Sequence, residues 1–132
     1  MTHEMTQEES HEAMVAELFK DPAAILATLT PEKVDLLHAA VGLVGEAAEL
    51  LELVKKHVFN NQPLDTGKVV LEGGDVEFYI AALRKVTGIG RDIFLNANET
   101  KLRKRYPKGY SDIASLKRVD TNQPSIWDNL GT

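Results

Sequence analysis

The stretch AAVGLVGEAAELLELV, residues 39–54, decides how the rest of the chain folds. Glu46, Glu49 and Glu52 are its only charged residues, set among Val41, Leu43, Val44, Ala47, Ala48, Leu50, Leu51, Leu53 and Val54. A helix with apolar side chains on nearly every face has to be covered on nearly every face. The acids recur every three residues, a step that turns a helix by about 300° and leaves successive members on one side, a turn apart. A carboxylate row in so apolar a helix points to chemistry rather than to a solvated surface.

A second pair with the same step, Glu72-x-x-Asp75, follows in another apolar stretch. If both stretches are helical and packed together, four carboxylates converge. Such a cluster repels itself and tends to stay protonated unless a cation joins it, and an all-oxygen ligand set suits Mg²⁺, with Mn²⁺ as a substitute. The same spacing occurs at Glu9 and Glu12 and at Glu32 and Asp35. Those pairs stand in polar surroundings and read as solvated helix surface.

Working outward, residues 1–10 are polar and read as a frayed terminus, followed by a short helix over His11–Lys20 with Met14, Val15, Leu18 and Phe19 on one side. Asp21-Pro22 breaks or restarts it. Thr30 as cap, Pro31 in the first position and Glu32 near the positive helix end start a long helix expected to reach His57, stopped by Asn60-Asn61-Gln62-Pro63. A second long helix is expected over Thr66–Val86, closed by Gly88. Gly73 and Gly74 are costly inside it, so close helix approach, room beside the acids, or a local kink has to account for them. A fourth helix is expected over Arg91–Arg105, ended by Pro107 and Gly109. Beyond Ser111 the chain is polar, and Trp127 suggests a tail that docks on another surface, such as a partner subunit.

The expectation is one all-α domain of about four main helices, completing a four-helix core by oligomerisation, because helices this apolar cannot bury all their faces in a thin protomer. At 132 residues, 43% hydrophobic but only 6% aromatic, the core has to be built from Leu, Val, Ala and Ile. The formal charge of −5 argues against a broad nucleic-acid surface. The absence of cysteine excludes disulfides, thiolate metal sites and cysteine nucleophiles. With no apolar leader and no run long enough to span a membrane, the expected location is the cytoplasm.

The last element is Asn98-Glu-Thr-Lys101-Leu-Arg-Lys-Arg105-Tyr106-Pro107, which sets Asn98, Lys101 and Arg105 at three- and four-residue steps on one helix face. Lys offers a point charge and Arg a bidentate fork, a combination suited to a phosphate chain. A solvated basic face at a helix C-terminus is the competing reading. Taken in order, Gly45-Glu46-Ala47-Ala48-Glu49-Leu50, Glu72-Gly73-Gly74-Asp75-Val76 and Asn98-x-x-Lys101-Leu102-x-x-Arg105-Tyr106-Pro107 resemble the MazG-like branch of the all-α nucleoside triphosphate pyrophosphohydrolases. The resemblance covers roughly residues 34–111.

That resemblance implies a homodimer or homotetramer around a metal-filled cleft, hydrolysing a nucleoside triphosphate to monophosphate and pyrophosphate for pool cleansing or nucleotide supply. It makes Glu46, Glu49, Glu72 and Asp75 the Mg²⁺ ligands and Lys101 and Arg105 the triphosphate contacts, with Asn98 and Tyr106 as further substrate contacts. Glu49 or Glu52 is the candidate catalytic base, although Glu52 fits equally well as a surface partner of Lys55 or Lys56. Many relatives carry another Glu just before the first motif acid; here Gly45 stands there, which leaves the number of metals open. Phosphoribosyl-ATP pyrophosphohydrolase activity, and a catalytically silent helical dimer that binds a nucleotide or a partner, are the alternatives. Asp35-x-x-His38 imitates half of a di-iron motif, but the second Glu-x-x-His is missing, so His38 reads as packing or as a pocket wall. His57 reads as a helix-end residue.

Overall fold

The computed structural model describes residues 5–118, which form six helices and no strand: α1 (Gln7–Leu18), α2 (Pro22–Leu26), α3 (Pro31–Phe59), α4 (Thr66–Thr87), α5 (Arg91–Arg105) and α6 (Asp112–Lys117). The class is all-α, as expected. Four helices are long and two are single short turns of chain.

Local signals explain the boundaries. α3 starts where Thr30 Oγ1 accepts the Lys33 N–H at 3.3 Å, with Pro31 in the first turn. It ends at Asn60, and the loop beyond is tied back by His57 Nδ1 against the Gln62 carbonyl at 2.8 Å. Asp65 caps α4 by accepting the Lys68 N–H at 3.0 Å, and Gly88 closes it in the left-handed region at φ 69°, where a side chain would be strained.

Two expectations need correction. The first helix begins at Gln7, not His11, because Thr6 and Glu9 form a reciprocal capping box: the Glu9 N–H donates to Thr6 Oγ1 at 3.2 Å and the Thr6 N–H to Glu9 Oε2 at 2.8 Å. Glu9 is therefore a cap rather than plain solvated surface. Past Ser111 the chain is not simply a polar tail, since Ser111 Oγ accepts the Ala114 N–H at 3.1 Å and starts α6. Trp127 lies outside the described residues.

Extensive packing among the described elements is confined to α3 on α4, an antiparallel hairpin joined by the loop over residues 60–65. Its seam follows alternating three- and four-residue steps on both helices. Leu36, Ala39, Leu43, Glu46, Leu50 and Leu53 of α3 face Val69, Glu72, Val76, Tyr79, Leu83 and Val86 of α4, all partly or wholly buried. Ala39 is the most enclosed of these, 3% exposed. α4 runs unbroken through Gly73 and Gly74, and a Cβ on either would meet nothing within 4 Å, so in the protomer these glycines leave room instead of admitting a neighbour.

Among its charged surface residues the hairpin also leaves large apolar side chains open. Leu37, Val41, Val44 and Leu51 recur along α3 on the side away from α4, and Val44 is 70% exposed. Val70, Leu71 and Phe78 are likewise exposed on α4.

Ala39, the small and most enclosed residue of the seam, sets the helix approach at its own position. Ala39→Leu should lower stability by about 1–3 kcal/mol, as overpacking does in a filled interior. Chemical denaturation checks this; a variant as stable as the parent would mean that the seam is looser at Ala39 than its burial indicates.

Candidate metal centre

Glu46 is a seam residue of α3, and Glu72 a seam residue of α4, so helix periodicity alone drives both carboxylates to the line where the helices meet. Asp75 follows Glu72 by three residues on the same side of α4, at the exposed edge of the seam. One carboxylate oxygen from each of Glu46, Glu72 and Asp75 lies within 4.8 Å of the other two. Glu46 and Glu72 are half-buried and Asp75 is exposed.

This grouping raises the pKa of Glu46. Partial burial in the seam contributes most, followed by the negative charges of Asp75, Glu72 and Glu49. Glu49 is thus close enough to repel Glu46, yet it falls outside the group of three. The structure gathers three of the four expected ligands and leaves the fourth beside them, exposed to solvent.

Glu52 has another partner. Lys55 Nζ donates to Glu52 Oε1 at 2.5 Å in an exposed pair, and this hydrogen bond, then the Lys55 charge, holds the Glu52 carboxyl below its ordinary range. Of the two roles the sequence leaves open for Glu52, the geometry matches the surface ion pair. A carboxylate held this way is a weaker base than an unpaired one.

The basic helix keeps its expected limits, with Asn98 and Lys101 exposed and Arg105 and Tyr106 half-buried at its C-terminal end. The Arg105 guanidinium lies 5.7 Å from the centre of the Tyr106 ring, which itself stands 5.4 Å from Tyr110. Arg103 is engaged by Glu99 at 2.7 Å. α5 makes no extensive packing contact with α3 or α4, so helix packing within the protomer does not fix where these residues stand relative to the carboxylates.

The aromatic corner beside the acids was not legible as a feature of the site. Tyr79, one turn after Asp75, lies over Gly42, with its ring 6.1 Å from His38 and 5.2 Å from Phe78. His38 therefore packs across the seam, matching its reading as a packing or wall residue. A glycine at position 42 inside an apolar helix was the available signal.

The donor set fits a hard divalent cation: three carboxylates, no sulfur, and separations that one ion can span after small side-chain adjustment. No protein-family model, curated protein or solved structure matches the chain. No helix among the described residues is long and apolar enough to cross a membrane.

Because its folded-state pKa is raised, Glu46 favours the metal-free fold most below the ordinary carboxylate range and loses that contribution as pH rises through its folded-state value. Glu46→Gln should therefore raise the thermal midpoint of the metal-free protein at neutral pH, with the gain shrinking as pH falls toward about 4. A midpoint several degrees lower would instead identify Glu46 as a member of a structural ion pair.

Proposed function

We propose that the chain is a metal-dependent nucleoside triphosphate pyrophosphohydrolase of the MazG-like kind, cleaving a nucleoside triphosphate to monophosphate and pyrophosphate. The observation that carries this reading is the meeting of Glu46, Glu72 and Asp75 at a helix seam whose other positions are leucine, valine, alanine and tyrosine. The ordered resemblance of the three motifs supplies the reaction.

Glu46, Glu72 and Asp75 would hold Mg²⁺ or Mn²⁺. When bound, the cation neutralises phosphate charge and aligns the attacking water, which are the chief demands of phosphoanhydride cleavage. Glu49, beside the group but outside it, takes the proton as the water oxygen attacks the α phosphorus. The bond from that phosphorus to the bridging oxygen breaks, and pyrophosphate leaves. Lys101 and Arg105 hold the phosphate chain, with Asn98 and Tyr106 as further substrate contacts.

The protomer provides only part of an enclosure. Its apolar α3 face and the exposed Val70, Leu71 and Phe78 of α4 are best covered by the same surfaces of a second copy, giving a four-helix core. Sedimentation at micromolar concentration should find a dimer or tetramer; a stable, well-folded monomer would contradict this.

The enzyme reading is tested with a panel of ribo-, deoxyribo- and modified triphosphates plus phosphoribosyl-ATP, with Mg²⁺ or Mn²⁺ present. The product should be pyrophosphate, not phosphate. Preference for phosphoribosyl-ATP would move the assignment to that substrate, and nucleotide binding without turnover would identify a silent binding protein. Asp75→Asn should lose both activity and the Mg²⁺-induced thermal shift. Glu49→Gln should lose about 10²–10⁴-fold in turnover, the usual worth of a general base, while keeping that shift. Near-normal turnover in either variant would remove that residue from the site.

A further inference from the structure

Gly42 and Tyr79 touch one helical turn away from the carboxylates on both sides of the seam. Gly42 precedes Glu46 by four residues on α3, and Tyr79 follows Asp75 by four on α4. A side chain at position 42 has no space: a Cβ built there overlaps the Tyr79 ring at Cε1, Cζ and Cδ1. The ring is also flanked elsewhere, by His38 in a tilted contact and by Phe78 edge-on at an interplanar angle of 86°. Gly42 differs in this from the glycines near the acids, because a Cβ at Gly45, Gly73 or Gly74 meets nothing within 4 Å.

We infer that Gly42 and Tyr79 are positioning residues for the carboxylate cluster: their contact sets how closely α3 and α4 approach at Glu46, Glu72 and Asp75, and with it the cluster's grip on a divalent cation. This rests on the cation reading proposed above. Mg²⁺ accepts little variation in ligand distance, and two oxygens on opposite sides of it stand about 4.2 Å apart. The three oxygens already span up to 4.8 Å, so side-chain rotation can close the set, but a further separation of about 1 Å leaves one ligand short. Adding a methyl group at position 42 forces a choice between that separation and ejection of the Tyr79 ring from its contacts with His38 and Phe78.

The test is Mg²⁺ binding to the full chain by calorimetry, without nucleotide, so that substrate contacts do not enter. Gly42→Ala should weaken Mg²⁺ binding about tenfold or more, equivalent to about 1.4 kcal/mol. Shrinking the opposing ring should undo this: the double variant Gly42→Ala, Tyr79→Ala should bind within about threefold of Tyr79→Ala alone, a coupling that additive structural damage would not produce. Tyr79→Trp, which retains Gly42 and enlarges the ring, should weaken binding in the same direction and serves if Gly42→Ala does not fold.

Parent-like Mg²⁺ binding by Gly42→Ala, or failure of the double variant to recover, overturns the inference. Unchanged binding by Tyr79→Trp does the same. If the parent protein itself binds no Mg²⁺, the cation reading fails and this inference fails with it. If the parent binds and the variants bind equally well, only the positioning role is lost.

Discussion

Repulsion among carboxylates held at a helix–helix seam is the constraint on which the rest of this molecule depends. Glu46 and Glu72 occupy positions that their helices otherwise fill with leucine, valine, alanine and tyrosine. Asp75 stands at the edge, and Glu49 adds a fourth negative charge nearby. The apolar seam on either side holds the helices together while the acids push against one another. An apolar replacement at Glu46 or Glu72 would pack better, so retaining acids there is a cost in stability that a bound cation would reverse. The pKa of Glu46 is raised first by its burial in the seam and then by the charges of Asp75, Glu72 and Glu49.

Much of the helix order was legible because it depends on local chemistry. Thr30-Pro31, Asp65 and Gly88 cap or close helices through contacts within a few residues, and α5 ends at Arg105, before Pro107. The two errors are also local. Thr6 and Glu9 form a capping box in a segment whose polarity suggested fraying, and Ser111 caps a short helix whose few apolar residues gave no clear period. In both places the cap, and not the composition, decides the local structure.

The site was legible only as far as helix periodicity reaches. A three-residue step places Glu46 with Glu49, and Glu72 with Asp75, but the register between α3 and α4 decides which acids meet. That register follows from apolar seam residues distributed over the length of both helices, from Leu36 to Leu53 and from Val69 to Val86. It gathers Glu46, Glu72 and Asp75 and leaves Glu49 beside them. The close approach at Gly42 was hidden for the same reason, since a glycine has meaning only against the ring that faces it. The relation of Lys101 and Arg105 to the acids depends on packing beyond α3 and α4, which spacing along one chain does not specify.

The central claim is that Glu46, Glu72 and Asp75 share one divalent cation. Crystals of the protein soaked in Mn²⁺, with diffraction data collected at the manganese edge, test it most directly. An anomalous peak within about 2.2 Å of an oxygen from each of the three residues is the expected result. A peak elsewhere, or none at saturating Mn²⁺ with the carboxylates in place, would contradict it.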